Sequence, residues 1–171
     1  MKPAPHSATD LFLVFDAGTQ SIRCALFDTA GAMLDMLKLP IEPYFVPAPG
    51  LCEQHPETFW QKFCQASQEL LSRNPALRER IKAVTLTTQR GVYINLDRDG
   101  KPLRPAIHWL DQRLADPAKF APFWLEFGLK AIRLYGVVDT LNRKGFSNWI
   151  RQHQPEIWQQ TFKYVLLSGY F

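Results

Sequence analysis

The segment FDAGTQSIRCALFD, residues 15–28, places a short polar stretch between two apolar runs. Residues 11–15 before the polar stretch and residues 22–27 after it are apolar enough to predict two buried strands. A third buried strand is predicted over residues 33–39, after a turn whose Gly31 suits a positive φ. Because the connections are short, the three strands are expected to form an antiparallel meander.

The rest of the chain alternates helical and strand patterns. Phe59, Phe63, Ala66 and Leu70 follow the spacing of one helix face, which predicts an amphipathic helix over residues 57–73. Short helices are expected in the aromatic region that Pro117 and Pro122 interrupt. Further helices are predicted over 145–153 and 155–161, and further strands over 81–88, 91–96 and 163–167. This order predicts an α/β fold with a mixed sheet and flanking helices, after a disordered N-terminus of residues 1–10.

Composition limits the function classes. The chain has 171 residues, 46% of them hydrophobic and 21% charged, as is typical of a globular protein. The net charge of +4 is spread along the chain without a basic run, so nucleic acid is not an expected partner. The three cysteines fit neither a zinc site nor a disulfide framework, which favours a cytoplasmic location. No apolar leader or membrane-length segment is present, so no membrane association is expected.

The polar stretch has the chemistry of an anion site. Gly18 permits a positive φ and a close approach of a ligand to the main chain, and Thr19, Gln20 and Ser21 add side-chain donors. Asp16 would repel a bare phosphate, but it suits a Mg²⁺ ion placed between carboxylate and phosphate. The structural alternative is a polar hairpin turn with an Asx cap, and the short string alone favours that alternative.

Four motifs together resemble the N-terminal half of the FGGY carbohydrate kinases. They are Asp16-x-Gly-Thr-x-Ser-x-Arg23, Pro49-Gly-Leu-Cys-Glu-Gln-His-Pro56, Thr88-Gln-Arg90 and Arg104-Pro-Ala-Ile-x-Trp-x-Asp-x-Arg113. The resemblance implies an actin-like ATPase domain, also called RNase H-like, over residues 11–171. In the family this domain is the first of two, and ATP lies between it and a C-terminal kinase domain that this chain lacks.

The resemblance also implies residue roles. Asp16, Gly18, Thr19, Gln20 and Ser21 would face the phosphates of ATP, with Asp16 on the Mg²⁺ side. Arg23 would act in catalysis near the transferred phosphoryl group. A sugar or polyol substrate would be bound by the following residues: Gln89, Arg90, Trp109, Asp111, Glu53 and Gln54. Such substrates need groups that bridge pairs of hydroxyls and an aromatic face against their C–H side.

Structural interpretations of the same residues remain open. Trp109 can be a core residue, and Asp111 with Arg113 can be a surface ion pair that contributes little. Glu53 can cap the helix that begins near Glu57 or lie in a solvated loop.

Two departures bear on the substrate. Glycerol kinases have glutamate where this chain has Gly91 and a substrate-binding tyrosine near the position of Leu141, which disfavours glycerol. Xylulokinases usually carry Met-His in the motif that contains Gln89 and Arg90, which argues against D-xylulose. In the family the general base is an aspartate of a Gly-Asp-Gln motif that lies beyond residue 171. The isolated chain is therefore predicted to be inactive as a kinase.

Three functions are compatible with this sequence. The first is the N-terminal part of an ATP-dependent carbohydrate kinase, a phosphotransferase that modifies an alcohol group and whose family is compatible with a homodimer. The second is a non-catalytic sugar-binding or regulatory module with an actin-like fold. The third is an RNase H-like nuclease, disfavoured because the predicted strands place Asp28 at the opposite end from Asp16, whereas two-metal catalysis needs converging carboxylates.

Overall fold

The computed structural model of the chain describes residues 10–42, 44–119 and 121–171. The disorder predicted for the N-terminus therefore falls, apart from Asp10, outside the described residues. The described chain divides into two compact units. The first contains the residues up to Tyr44, His55–Arg90 and Leu166–Phe171, and the second contains Phe45–Gln54 and Gly91–Val165.

The elements follow in chain order. The strands are β1 (Leu11–Ala17), β2 (Ser21–Asp28), β3 (Met33–Pro40), β4 (Glu53–Gln54), β5 (Ile81–Thr88), β6 (Tyr93–Leu96), β7 (Ala106–Ile107) and β8 (Lys163–Leu166). The α-helices are α1 (Pro56–Arg73), α2 (Phe123–Ala131), α3 (Tyr135–Lys144), α4 (Phe146–His153) and α5 (Pro155–Gln160). Short 3₁₀ turns cover Pro75–Arg80 and Leu167–Gly169.

The first unit is built on a four-stranded mixed sheet with the order β3-β2-β1-β5. β1 pairs antiparallel with β2 and β2 with β3, which confirms the predicted meander, while β1 pairs parallel with β5. Gly31 adopts the positive φ expected at the turn, at 82°. β3 was predicted to be a buried strand, but it lies at the edge of the sheet, and Leu37 is its one buried residue. β5 forms the other edge, and the side chains from Lys82 to Thr85 are exposed.

Helix α1 covers one face of this sheet, as its apolar stripe predicts. Phe59, Ala66 and Leu70 are fully buried, and the ring of Phe63 stacks on Phe15 of β1 with 3.8 Å between ring centroids. Pro56 occupies the first turn, where a missing N–H costs no hydrogen bond. This packing fixes β1, and with it the position of the residues that follow β1.

The second unit contains a four-stranded sheet with the order β4-β7-β6-β8 and the helices α2 to α5. The strand predicted over 91–96 begins later, at Tyr93, because Gly91 has a φ of 74°. The ring of Tyr93 stacks on that of Tyr164 in β8, with centroids 5.5 Å apart. Among the described residues, none of the helices combines the length and the apolar character that a membrane span needs.

Candidate functional site

The bend between β1 and β2, residues 18–20, lies at the carboxyl end of β1. One hydrogen bond closes the bend, because the main-chain N–H of Gly18 donates to the carbonyl oxygen of Ser21 at 3.0 Å. Within the described chain, the main-chain N–H groups of Thr19 and Gln20 donate to no other protein group. Gly18 does not adopt the positive φ that the sequence led us to expect, so this conformational role of Gly18 is not observed. The bend thus presents two unused amide donors.

An open cavity of about 450 Å³ lies at the β1–β2 bend. Its lining residues are Gly18, Thr19, Gln20, Ser21, Arg23, Lys38 and Pro40. Lys38 was not among the predicted site residues. Its signal is the strand register, since Arg23 of β2 is paired with Lys38 of β3 and two cations therefore lie side by side at the cavity. Amides, hydroxyls and two cations make this cavity suited to an anion.

Asp16 and Arg23 face each other across the β1–β2 pair and form an ion pair. Their side chains are 40% and 46% exposed, so the carboxylate and the guanidinium both remain reachable from solvent. One exposed carboxylate suits Mg²⁺ when phosphate oxygens and water supply the other ligands. The register pairs Asp28 with Leu11 at the far end of β1, which confirms the predicted separation of Asp28 from Asp16 and argues against a two-metal nuclease site.

Gln89 and Arg90 follow the carboxyl end of β5, which lies beside the carboxyl end of β1. The parallel register pairs Ala17 with Thr88, so both strands end together. The Thr19 hydroxyl donates to Gln89 Oε1 at 2.6 Å, and the Gln89 main-chain N–H donates to the Ala17 carbonyl oxygen at 2.8 Å. Ligands of open sheets bind at the carboxyl ends of parallel strands, and the first unit places its predicted site residues at this edge.

The second unit contains a buried ion network, the Arg113 cluster, formed by Glu53, Arg104, Asp111 and Arg113. Glu53 Oε1 accepts hydrogen bonds from Arg104 and, at 2.8 Å, from Arg113 Nη2. Arg113 Nε and Nη2 also donate to the two oxygens of Asp111, each at 2.7 Å. The Arg113 side chain is 2% exposed. Glu53 therefore neither caps α1 nor lies in a solvated loop, and the surface pair considered for Asp111 and Arg113 is wrong because both are buried.

Asp111 has little capacity left for a ligand. Besides the two hydrogen bonds from the Arg113 side chain, its carboxylate accepts hydrogen bonds from the main-chain N–H of Cys52 at 2.6 Å and from the main-chain N–H of Arg113 at 2.9 Å. Burial alone would raise the pKa of Asp111, but these hydrogen bonds and the guanidinium charge hold the pKa below its ordinary value. Asp111 is thus a permanently charged anchor between residue 52 and residue 113 at neutral pH.

Trp109 stands apart from the core, with 53% of its surface exposed, so the core interpretation does not describe it. A cavity of about 470 Å³ lies beside it in the second unit. The lining residues are Trp109, Asp111, Gln112, Arg113, Leu114, Lys144 and Phe146. Gly91 approaches Trp109 so closely that a Cβ on Gly91 would lie 2.9 Å from the Trp109 Cβ. A side chain at position 91 is therefore excluded without movement of the tryptophan.

The structure thus distributes the predicted site residues over both units. The first unit holds Asp16, Gly18, Thr19, Gln20, Ser21, Arg23, Gln89 and Arg90, and the second unit holds Glu53, Gln54, Trp109 and Asp111. Gln54 is buried beside Glu53 in β4, which pairs with β7. Arg104 was quoted as the first residue of the fourth motif without a predicted role, and Lys144 was not predicted, because the ion pair of Arg104 and the cavity beside Lys144 depend on tertiary structure.

Comparisons with curated proteins find kinases. The chain is 36% identical over 158 residues to a glycerol kinase of Thermococcus gammatolerans. This match covers 92% of this chain and 31% of that enzyme. The chain is 38% identical over 113 residues to a glycerol kinase of Gloeobacter violaceus, covering 66% of this chain and 22% of that enzyme. The chain therefore spans less than a third of the length of these curated relatives.

Solved structures share the fold. A xylulose kinase from Rhodospirillum rubrum matches with a TM-score of 0.75 at 19% identity, over 94% of this chain and 33% of that one. A glycerol kinase of Plasmodium falciparum, solved with ADP, matches with a TM-score of 0.66 at 23% identity, over 95% of this chain and 33% of that one. The model of the N-terminal domain of the FGGY family of carbohydrate kinases matches residues 11–171. The chain therefore belongs to the FGGY family of carbohydrate kinases and has the actin-like fold of its N-terminal domain.

Proposed function

We propose that the chain is the N-terminal part of an ATP-dependent kinase that transfers the γ-phosphoryl group of ATP to a hydroxyl of a sugar or polyol. The observation that supports this most is the β1–β2 bend: Thr19 and Gln20, whose main-chain N–H groups have no acceptor among the described residues, line an open cavity together with Arg23 and Lys38. A polyphosphate needs such donors and cations around it. A C-terminal kinase domain and a cytoplasmic location are parts of the same proposal.

The residues at the β1–β2 bend have separable roles in this proposal. The amides and Lys38 would hold the nucleotide phosphates, and Arg23 would stabilise charge on the transferred phosphoryl group. Asp16 would hold Mg²⁺, which supplies charge neutralisation between the phosphates when it is bound. Because Arg23 is paired with Asp16, an arriving metal and phosphate would each take over one partner of that pair.

The substrate side is proposed residue by residue. In the first unit, the exposed side chain of Arg90 is suited to bridge neighbouring hydroxyls. In the second unit, the exposed indole of Trp109, beside its cavity, is suited to the C–H face of a carbon chain. Glu53, Gln54 and Asp111 are buried, and of these three Asp111 lines the cavity, so a direct role for Glu53 or Gln54 requires a substrate group that reaches behind the cavity wall.

Gly91 bears on which sugar or polyol is used. Glutamate occupies this place in the glycerol-kinase pattern, but here the position combines a φ of 74° with the close approach of Trp109. The local backbone is therefore built for a residue without a side chain, which supports a substrate other than glycerol. Since the curated relatives named above are glycerol kinases, glycerol must nevertheless be in any panel of candidates.

The test joins this chain to the C-terminal region that follows the matched segment in its relatives and measures ADP release with pentuloses, hexuloses and polyols. We expect turnover with at least one substrate, and none with the 171-residue chain alone. A folded, extended protein that is silent across the panel would contradict the proposal.

A non-catalytic module is the second outcome of the same experiment. Calorimetry of the 171-residue chain with each sugar, with and without ATP and Mg²⁺, separates the two. Binding that is independent of nucleotide, together with silence in the activity panel, would favour the sugar-binding module. Cleavage of nucleic acid with Mn²⁺ would favour the nuclease.

A further inference from the structure

The side chain of Gln89 is directed at the β1–β2 bend. Its Oε1 accepts the proton of the Thr19 hydroxyl at 2.6 Å, across 70 residues of sequence. Its main-chain N–H donates to the Ala17 carbonyl oxygen at 2.8 Å. Two hydrogen bonds, one accepted by the side chain and one donated by the main chain, therefore tie the segment after β5 to the last residue of β1 and to the bend that follows it.

The amide group of Gln89 faces protein. Its Nε2 atom is buried and has no hydrogen-bond partner within the part of the chain that the structure describes. The next residue, Arg90, is exposed, so the two neighbours differ in their access to a ligand. A glutamine with a buried amide and an occupied carbonyl oxygen is placed to hold its surroundings, while the arginine beside it is placed to meet a small molecule.

We infer that Gln89 is a positioning residue that fixes the β1–β2 bend and does not itself contact the sugar. The inference rests on the proposed function and changes the substrate-binding role that the family resemblance implies for Gln89. It also changes the role of Thr19. A hydroxyl has a single proton to donate, and that proton is given to Gln89, so Thr19 offers a phosphate its main-chain N–H.

The first experiment uses the 171-residue chain and needs no activity. ¹⁵N-labelled Gln89→Met and Thr19→Val both remove the side-chain hydrogen bond, so each is expected to shift the amide resonances of residues 18–20. The double variant should shift them no further than either single change. Thr19→Ser retains the hydroxyl and should keep the native pattern, and Arg90→Met changes an exposed neighbour as the matched control.

Unchanged bend resonances in Gln89→Met, or shifts in the double variant that are the sum of the single shifts, would overturn the inference. Gln89→Glu gives a second route if the methionine variant does not fold. It keeps an acceptor for the Thr19 hydroxyl and loses the amide donor, so the bend should stay in its native pattern. A displaced bend in folded Gln89→Glu also counts against the inference.

The second experiment uses the extended protein, once its substrate is known. Loss of one hydrogen bond changes an equilibrium by about 3-fold to 10-fold, so Gln89→Met should raise the KM for ATP by about that factor. The KM for the sugar should change less than about 2-fold. Arg90→Met should show the opposite split. A rise in the sugar KM alone in Gln89→Met would restore Gln89 as a substrate ligand, whereas an inactive parent protein would refute the proposed function and leave the resonance experiment to decide this inference.

Discussion

The strands that flank the β1–β2 bend and the Arg113 cluster each contain a carboxylate paired with an arginine, but the first pair is exposed and the second is buried. Asp16 and Arg23 are about half exposed and have one another as ion-pair partners. Arg113 is buried, and two carboxylates and an aromatic ring, that of Trp149 at 4.4 Å from its guanidinium carbon, surround it. Each member of the exposed pair can exchange its ion-pair partner for a ligand, whereas the buried cluster stabilises the second unit.

The largest effect is expected when the Arg113 cluster loses its central cation. Arg113→Met leaves the carboxylates of Asp111 and Glu53 buried without their shared partner, which should lower the free energy of unfolding by about 3–5 kcal/mol. Urea denaturation followed by circular dichroism measures the change. The matched variant in the exposed pair, Arg23→Met, should cost less than about 1 kcal/mol. Equal losses in the two variants would remove the distinction between the two regions.

The contact between Gly91 and Trp109 gives the next largest effect. Gly91→Ala adds a Cβ 2.9 Å from the Trp109 Cβ and places alanine at a φ of 74°, so a loss of about 2–4 kcal/mol is expected from strain and overpacking together. Gly100→Ala is the matched control, because its φ is 78° and no heavy atom lies within 4 Å of the added Cβ. The control should lose only about 1–2 kcal/mol, the cost of the backbone conformation. Thermal unfolding of both variants at one pH measures the difference, and equal losses would show that Trp109 moves freely.

The pH dependence of stability tests a buried titratable group of the second unit, His108. Burial lowers the pKa of His108 from its ordinary value of 6.5 in the folded chain, and Asp111 opposes this only partly. Because the unfolded chain binds the proton more readily, the stabilisation is complete above about pH 6.5 and declines as the pH falls below that value. His108→Gln should flatten this decline in urea midpoints measured from pH 7.5 to 5. An unchanged slope in the variant would assign the decline to other groups.

The smallest effect concerns the exposed pair itself. A double-mutant cycle with Asp16→Asn and Arg23→Met should give a coupling of about 0.2–1 kcal/mol, since exposed ion pairs contribute little. Added salt should reduce the coupling further, because exposed charges are screened. A coupling above about 2 kcal/mol that persists in 1 M NaCl would mean that the pair behaves as a buried one.

Local patterns predicted the longer elements of the first unit. The strands β1, β2 and β5 and the helix α1 were predicted to within two residues because each strand contains a run of apolar or β-branched residues and the helix has an apolar face over several turns. The two-residue strands β4 and β7 were not predicted, since two residues carry no periodicity. Their pairing depends on a contact between residues 53 and 107 that sequence spacing does not reveal.

The candidate site was predictable to a similar extent. The donors of the β1–β2 bend follow one another in the chain and could be identified from their residue types. The Arg113 cluster could not, because Glu53 and Arg113 are 60 residues apart and their burial decides whether they bind a ligand or each other. Lys38 lies between these cases, since the meander that predicts its strand also predicts its place beside Arg23 once the register is known.

The position of β5 at the edge of its sheet has a practical consequence for work with the isolated chain. The residues from Lys82 to Thr85 are exposed, and the side chain of Val84 is open to solvent at 58%. An edge strand of β-branched residues offers a template for pairing with another molecule. Its single lysine, Lys82, disfavours such pairing only weakly. Concentrated samples of the chain should therefore self-associate through this edge, and replacing Val84 with lysine is the first change to make when preparing them for spectroscopy.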